Sequence, residues 1–168
     1  MELEKLRRSG IKVIKGNLLD LAEQGHFDII LHGANCWCTM KSGIAGEIAK
    51  RYPEVVKKDN ETKRGDINKL GTISVARVIR DNFHFAVVNM YTQFNYGRDK
   101  NVQYVDYWAV RNCLQLLCHR LDYCGIEKAR IGYPRVGCGL ANGDWDIVSD
   151  IFNQELKDFE HTLVIKED

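Results

Sequence analysis

Residues 27–31, FDIIL, are apolar at nearly every position. A strand of that kind has to be covered on both faces, because neither set of alternating side chains can face water. The segments around it supply the cover. Residues 11–15 read as a short strand, and a helix begins near Leu18. Residues 43–51 place Ile44, Ile48 and Ala49 at helical spacing, and Pro53 then interrupts the pattern. Residues 72–79 (TISVARVI) and 85–91 (FAVVNMY) read as two strands joined by a hairpin through Arg80, Asp81 and Asn82. Residues 104–124 give the clearest helix, with Val105, Ala109, Leu116, Leu117 and Leu121 on one stripe and Gly125 as its C-terminal stop. A strand over 129–133, a helix over 145–156 and a strand over 162–165 complete the chain. The polar stretch 57–69, KKDNETKRGDINK, reads as a solvated loop or a frayed helix end. Strands that alternate with helices specify an α/β fold, here three-layer α/β/α with a mixed central sheet of about six strands. All 168 residues fit one domain, 1–168.

Two glycine turns stand out within that order. KSGIAGEIAK contains Ser42, Gly43, Ile44 and Ala45, and PRVGCGL contains Pro134, Val136, Gly137, Cys138, Gly139 and Leu140. Each follows a strand-like run and precedes a helix-like one. The start of a helix carries unpaired N–H groups and partial positive charge, which suits an anion. Ligands of open α/β sheets sit beyond the C-terminal ends of the strands, where both turns fall. Two such turns can grip one diphosphate from both sides. Taken singly, each is an ordinary loop: short glycine motifs recur without function, and neither matches GxxxxGK[ST] or GxGxxG.

Other candidates are open to plainer readings. His32 falls at the rim end of the FDIIL strand, where a histidine can act as general acid or base or only bond a neighbour. Asn35 can hold a ribose hydroxyl or cap a turn. Cys36 and Cys38 form one CxC, but zinc needs a second pair, and Cys113, Cys118 and Cys124 do not supply it by spacing. No metal and no cofactor is expected. Cys36 and Cys138 have no evident base near them in sequence to make them nucleophiles. Trp37, Trp108 and Trp145 read as packing residues, and the aromatic run 91–96 (YTQFNY) can wall a purine pocket.

Composition excludes some classes. The net charge of +1 lacks the basic excess of a general nucleic-acid binder. No apolar run approaches the roughly 20 residues that span a bilayer. The start, MELEKLRRSG, lacks the apolar core of a signal peptide, and six cysteines in a chain of this length read as reduced thiols. A cytoplasmic protein with no membrane partner is expected.

In combination, KGNLLD (15–20), ILHGANC (30–36), SGIAGEIAKRYP (42–53), VVNMYTQFNYG (87–97) and YPRVGCGL (133–140) resemble a macro domain, the ADP-ribose-binding family. The resemblance covers most of the chain and runs in the family's order. It implies that ADP-ribose lies across the C-terminal rim of the sheet. Asn17 and Leu18 would meet the adenine, with Asn17 replacing a commoner aspartate. Asn35 would contact the distal ribose. Ser42 to Ala45 would form the first phosphate loop and Val136 to Leu140 the second, with Pro134 at its start.

Within the family, HxxNC with GIA and RYP is most similar to the ADP-ribose 1″-phosphate phosphatase (Appr-1″-p processing) group of yeast and phage. That resemblance implies hydrolysis of ADP-ribose 1″-phosphate to ADP-ribose and phosphate, with His32 and Asn35 catalytic. An ADP-ribosyl ester hydrolase would want a lysine near Gln93 and an acid near Ala141, or an aspartate near Ala45; Asn142 and Asp144 stand close to the second of these. A non-catalytic reader of ADP-ribose or of ADP-ribosylated macromolecules fits every binding residue. Lys41, where relatives usually carry glycine, adds positive charge beside the first phosphate loop.

Overall fold

The computed structural model describes residues 10–167. The first nine residues, on which the signal-peptide expectation rests, and Asp168 lie outside the described residues. One mixed sheet organises the molecule. Its strands are β1 (Lys12–Lys15), β2 (Ile29–Asn35), β3 (Ile73–Ile79), β4 (His84–Gln93), β5 (Arg130–Tyr133) and β6 (Glu160–Ile165). They lie side by side in the order β1-β6-β5-β2-β4-β3. Every pairing is parallel except β3 with β4. The antiparallel pair is the anticipated hairpin, closed by Arg80 N–H on the Phe83 carbonyl at 2.9 Å.

The helices are α1 (Leu18–Glu23), α2 (Gly43–Arg51), α3 (Pro53–Asn60), α4 (Tyr107–Tyr123) and α5 (Trp145–Glu155). They divide between the two faces of the sheet. On one face Val110, Leu114 and Leu117 of α4 and Phe152 of α5 pack on Leu31, Val88 and Ile131. On the other, Leu19 of α1, Ile48 of α2 and Val55 of α3 pack on Ile30, Val87 and Val78. The alternation of Ile30 against Leu31 is the period-two signature of a strand buried on both sides. The architecture is therefore the three-layer α/β/α sandwich expected.

Four details depart from the sequence expectation. β2 continues past Leu31 to Asn35, because His32 to Ala34 pair in register with Asn89 to Tyr91 of β4. Pro53 does begin a new element rather than simply ending one: it occupies the first turn of α3, where its missing N–H is no loss. Asp59 and Lys69, within the stretch read as solvated, are buried. On α4 the apolar stripe is Ala109, Val110, Cys113, Leu114, Leu117 and Leu121; Leu116 faces water, and Val105 is buried just ahead of the helix, bridged to Gln93. The helix ends as read, with Gly125 at φ +70°. Among the described residues, no helix is long and apolar enough to cross a membrane.

Candidate functional site

The C-terminal ends of β2, β4 and β5 open onto a cleft of about 280 Å³. Its floor is Gly33, Ala34 and Asn35 of β2. Ser42, Gly43, Ile44 and Ala45 form one wall; Pro134, Val136, Gly137, Gly139 and Leu140 form the wall opposite. Two turns about ninety residues apart in the chain thus face each other across a single cavity.

The first wall is the start of α2. Ser42 takes the N-cap position in extended conformation (φ −136°, ψ 159°), but its side chain makes no capping bond, so its hydroxyl is free to face a ligand. Gly43 follows at φ +59°, in the left-handed region where a side chain is disfavoured. The first bond of the helix is Gly46 N–H to the Ser42 carbonyl (3.2 Å), so the N–H groups of Gly43, Ile44 and Ala45, which line the cleft, precede the intrahelical ladder.

The second wall is a compact turn stitched by its own backbone. Val136 N–H donates to the Pro134 carbonyl (2.8 Å), Cys138 N–H to that of Arg135 (3.1 Å) and Gly143 N–H to that of Gly137 (2.8 Å). Gly137 sits at φ +74°, and a Cβ there would lie 2.5 Å from Cγ2 of Val105. Only glycine satisfies both constraints. Asn142, at φ +59°, donates from Nδ2 to the carbonyls of Asp99 (2.9 Å) and Val102 (2.7 Å). This ties the second wall to the segment after β4, which brings Tyr96, Gly97 and Arg98 to the cleft.

Several predicted site residues are placed differently. His32 is fully buried inside β2 and does not line the cleft. Its Nε2 donates to Oδ1 of Asn89, directly opposite on β4, and burial lowers its pKa. The expectation of a rim acid–base group at His32 is corrected: strand alternation turns it to the same face as Ile30, buried beneath the helical layer of α1–α3. Cys138 also points inward, with Sγ on the Val136 carbonyl at 3.4 Å, and burial pushes its thiol up to about 12. Cys36 is buried and pushed up to about 11. Asn17 caps α1 through Oδ1, accepting from Asp20 N–H at 3.0 Å, and the Leu18 side chain is in the core; neither joins the cleft wall. Asn35 does line it, with its amide already engaged: Nδ2 donates to Thr39 Oγ1 (2.7 Å) and to its carbonyl (3.2 Å), and Oδ1 accepts from Trp37 N–H (2.8 Å). Gln93 and Ala141 line the cleft, Lys41 does not, and Asp144 caps α5 by accepting from Asp146 N–H at 2.9 Å.

Sequence reasoning missed what holds the β2–α2 loop from below. Asn89 Nδ2 donates to Ser74 Oγ (3.0 Å), Ser74 Oγ meets the Tyr91 hydroxyl (2.9 Å), and that hydroxyl donates to Asp59 Oδ1 (2.8 Å). Beside this chain, Lys69 Nζ donates to Thr62 Oγ1 (2.7 Å) and Cys38 Sγ (3.4 Å) and stands 4.7 Å from the centre of the Tyr91 ring. Cys38 itself is at φ +56°, and its thiol donates to the Asp59 carbonyl at 3.3 Å. Trp37 closes the flank, with its indole N–H on Asn95 Oδ1 (3.1 Å) and its ring edge-on to Phe94. The loop that carries the first wall is thereby fixed before any ligand arrives.

Chemically the cleft is simple. Its wall holds no histidine, aspartate, glutamate, cysteine or lysine; Arg98, Arg135 and Tyr96 are its titratable side chains. Among the described residues, no three His, Cys, Asp or Glu side chains gather as a metal site would require. The arrangement offers main-chain N–H groups, amides and guanidinium, which bind and orient an anion.

The six-stranded mixed sheet, covered on both faces, is a fold shared with solved macrodomains. The macrodomain of Mycobacterium tuberculosis DarG superposes with a TM-score of 0.71 at 21% identity, covering 92% of this chain and 96% of that one. Thermosipho africanus DarTG, solved in complex with ADP-ribose, gives 0.68 at 14% identity, over 93% of this chain and 42% of the larger one. No family model matches the chain. An uncharacterized 17.5 kDa protein from the tk–vs intergenic region of Enterobacteria phage T4 is 34% identical over 155 residues, 92% of this chain and 95% of that protein. The chain belongs to the family of that phage protein.

Proposed function

We propose that the rim cleft binds ADP-ribose, free or attached to a macromolecule, with the diphosphate held between residues 42–45 and 136–140. The observation that carries this reading is the pair of backbone turns facing each other across one cavity at the C-terminal strand ends. Two rows of N–H groups with a helix start behind one of them suit two linked phosphates. Asn35 Oδ1 accepts one bond, from Trp37 N–H, and its second lone pair suits a hydroxyl of the distal ribose. A DarTG of the same fold binds ADP-ribose. Titration calorimetry with ADP-ribose, ADP and inorganic phosphate tests it. Saturable binding of ADP-ribose, stronger than ADP and far stronger than phosphate, is expected; heats no larger for ADP-ribose than for phosphate would end the proposal.

A second reading, hydrolysis of ADP-ribose 1″-phosphate, is favoured by one observation: Arg98 lines the cleft and is exposed, as a cation serving an extra terminal phosphate would be. In this reading water attacks phosphorus, the bond to the C1″ oxygen breaks, and that oxygen takes up a proton. With no carboxylate, histidine, cysteine or lysine on the wall, the proton moves through water and the substrate's own phosphate. His32, buried on the face that α1–α3 cover, positions β2 against β4 rather than touching substrate. Release of phosphate from ADP-ribose 1″-phosphate by the purified protein, unchanged by metal chelation, is the expected result. Tight binding without release selects the reader.

A further inference from the structure

A second and larger cleft, about 620 Å³, lies at the opposite rim, where β2 and β4 begin. It arises because α4 meets the edge strand only at its start. There Asn112 Nδ2 donates to the Gly71 carbonyl and Cys113 Sγ to that of Thr72. Farther along, the helix and β3 diverge. Ala76 and Val78 are buried by the opposite layer, but Val75, Arg77 and Ile79 turn toward the gap. The deep wall is apolar: Val75, Val88, Leu117 and Leu121. Ile79 and Ile126 stand at the mouth, 66% and 41% exposed.

The charged side chains lining this cavity are mostly basic. Arg77, Arg120 and Lys128 line it and are exposed. Arg80, also on the wall, is held by Glu54 (2.9 Å). Asp28 is the one acid among the lining residues, and Arg130 neutralises it through Nε (3.2 Å) and Nη2 (3.0 Å). An apolar slot of this size with a cationic rim complements a molecule that is apolar at one end and anionic at the other.

We propose that this second cleft binds a free amphiphilic anion, an alkyl chain ending in a carboxylate, with the chain against Val75, Leu117 and Leu121 and the head group at Arg77, Arg120 and Lys128. The site is independent of the nucleotide cleft. Cys124, exposed and on the wall, reports occupancy directly.

Dodecanoate below its micellar concentration is the probe, followed by calorimetry and by the rate of Cys124 alkylation in the full chain. One-to-one binding and at least fivefold protection of Cys124 are expected, with dodecanol at least tenfold weaker. Arg120→Glu and, separately, Lys128→Glu should each weaken dodecanoate about tenfold and leave ADP-ribose binding unchanged; both residues are exposed, and circular dichroism verifies the fold. Absence of saturable dodecanoate binding overturns the proposal. So do equal affinities for dodecanoate and dodecanol, indifference to both charge reversals, or binding to anionic lipid vesicles without binding of the monomer.

Discussion

Gly43 and Gly137 share a backbone conformation and differ in what surrounds them, so alanine at each separates strain from collision. At Gly43 an added Cβ meets nothing within 4 Å, and only the left-handed backbone (φ +59°) opposes it. That costs roughly 1–2 kcal/mol. At Gly137 the same strain applies at φ +74°, and the Cβ would also lie 2.5 Å from Cγ2 and 3.0 Å from Cβ of Val105, itself buried. Forcing a methyl into a packed site adds about 1–3 kcal/mol, for a total of roughly 2–5 kcal/mol by summing the two ranges. Urea denaturation monitored by tryptophan fluorescence measures both variants. In a chain of this length each kcal/mol lowers Tm by about 2–4 °C, so thermal melts give a second reading. A cycle with Val105→Ala isolates the contact: Gly137→Ala should be milder by about 1–3 kcal/mol in the Val105→Ala background than in the parent. Equal destabilisation by Gly43→Ala and Gly137→Ala, or no coupling to Val105, refutes the account of the second wall as a turn that only glycine can make.

Further outcomes follow from the same contacts. Asn35→Ala removes three hydrogen bonds that shape the β2–α2 loop; at about 1 kcal/mol net for each, ADP-ribose affinity should fall by about tenfold or more, read by calorimetry. Arg98→Ala should weaken ADP-ribose 1″-phosphate more than ADP-ribose, and equal losses would detach Arg98 from the terminal phosphate. Tyr91→Phe deletes the hydroxyl joining Ser74 to Asp59 and leaves a buried carboxylate short of a donor, a cost of about 1–3 kcal/mol in urea denaturation. His32 and His161 both have pKa values lowered by burial. The unfolded chain therefore binds more protons below its ordinary histidine value of about 6.5, and stability present above that pH is lost as the pH falls. The loss cannot exceed about 1.4 kcal/mol per pH unit for each histidine. Denaturation midpoints at pH 7.5, 6.5 and 5.5 test this, and a midpoint that rises on acidification contradicts it.

Much of the fold is legible in the chain because its strands are apolar in the way a doubly covered sheet demands. FDIIL, the hairpin around Arg80 and the stop at Gly125 each follow from one local rule. Both glycine turns, too, are visible as punctuation, and strand direction alone puts them on one rim. Local rules fail where a partner distant in sequence decides. Read alone, β2 stops at His32, yet it continues because Asn89 waits across the ladder. Asp59 and Lys69 have the character of solvated residues until Tyr91, Thr62 and Cys38 surround them. Arg98 lies in a segment without periodicity, and its place on the cleft depends on Asn142 holding the carbonyls of Asp99 and Val102.

The grip proposed for the ligand is made chiefly of main chain, and that has an evolutionary corollary. Peptide amides are present whatever side chain a codon specifies, so drift can rewrite most of the lining without dissolving the site, provided the left-handed turns survive. Overall resemblance between two such chains is then a poor gauge of shared binding; the dihedral angles at Gly43 and Gly137 are a better one.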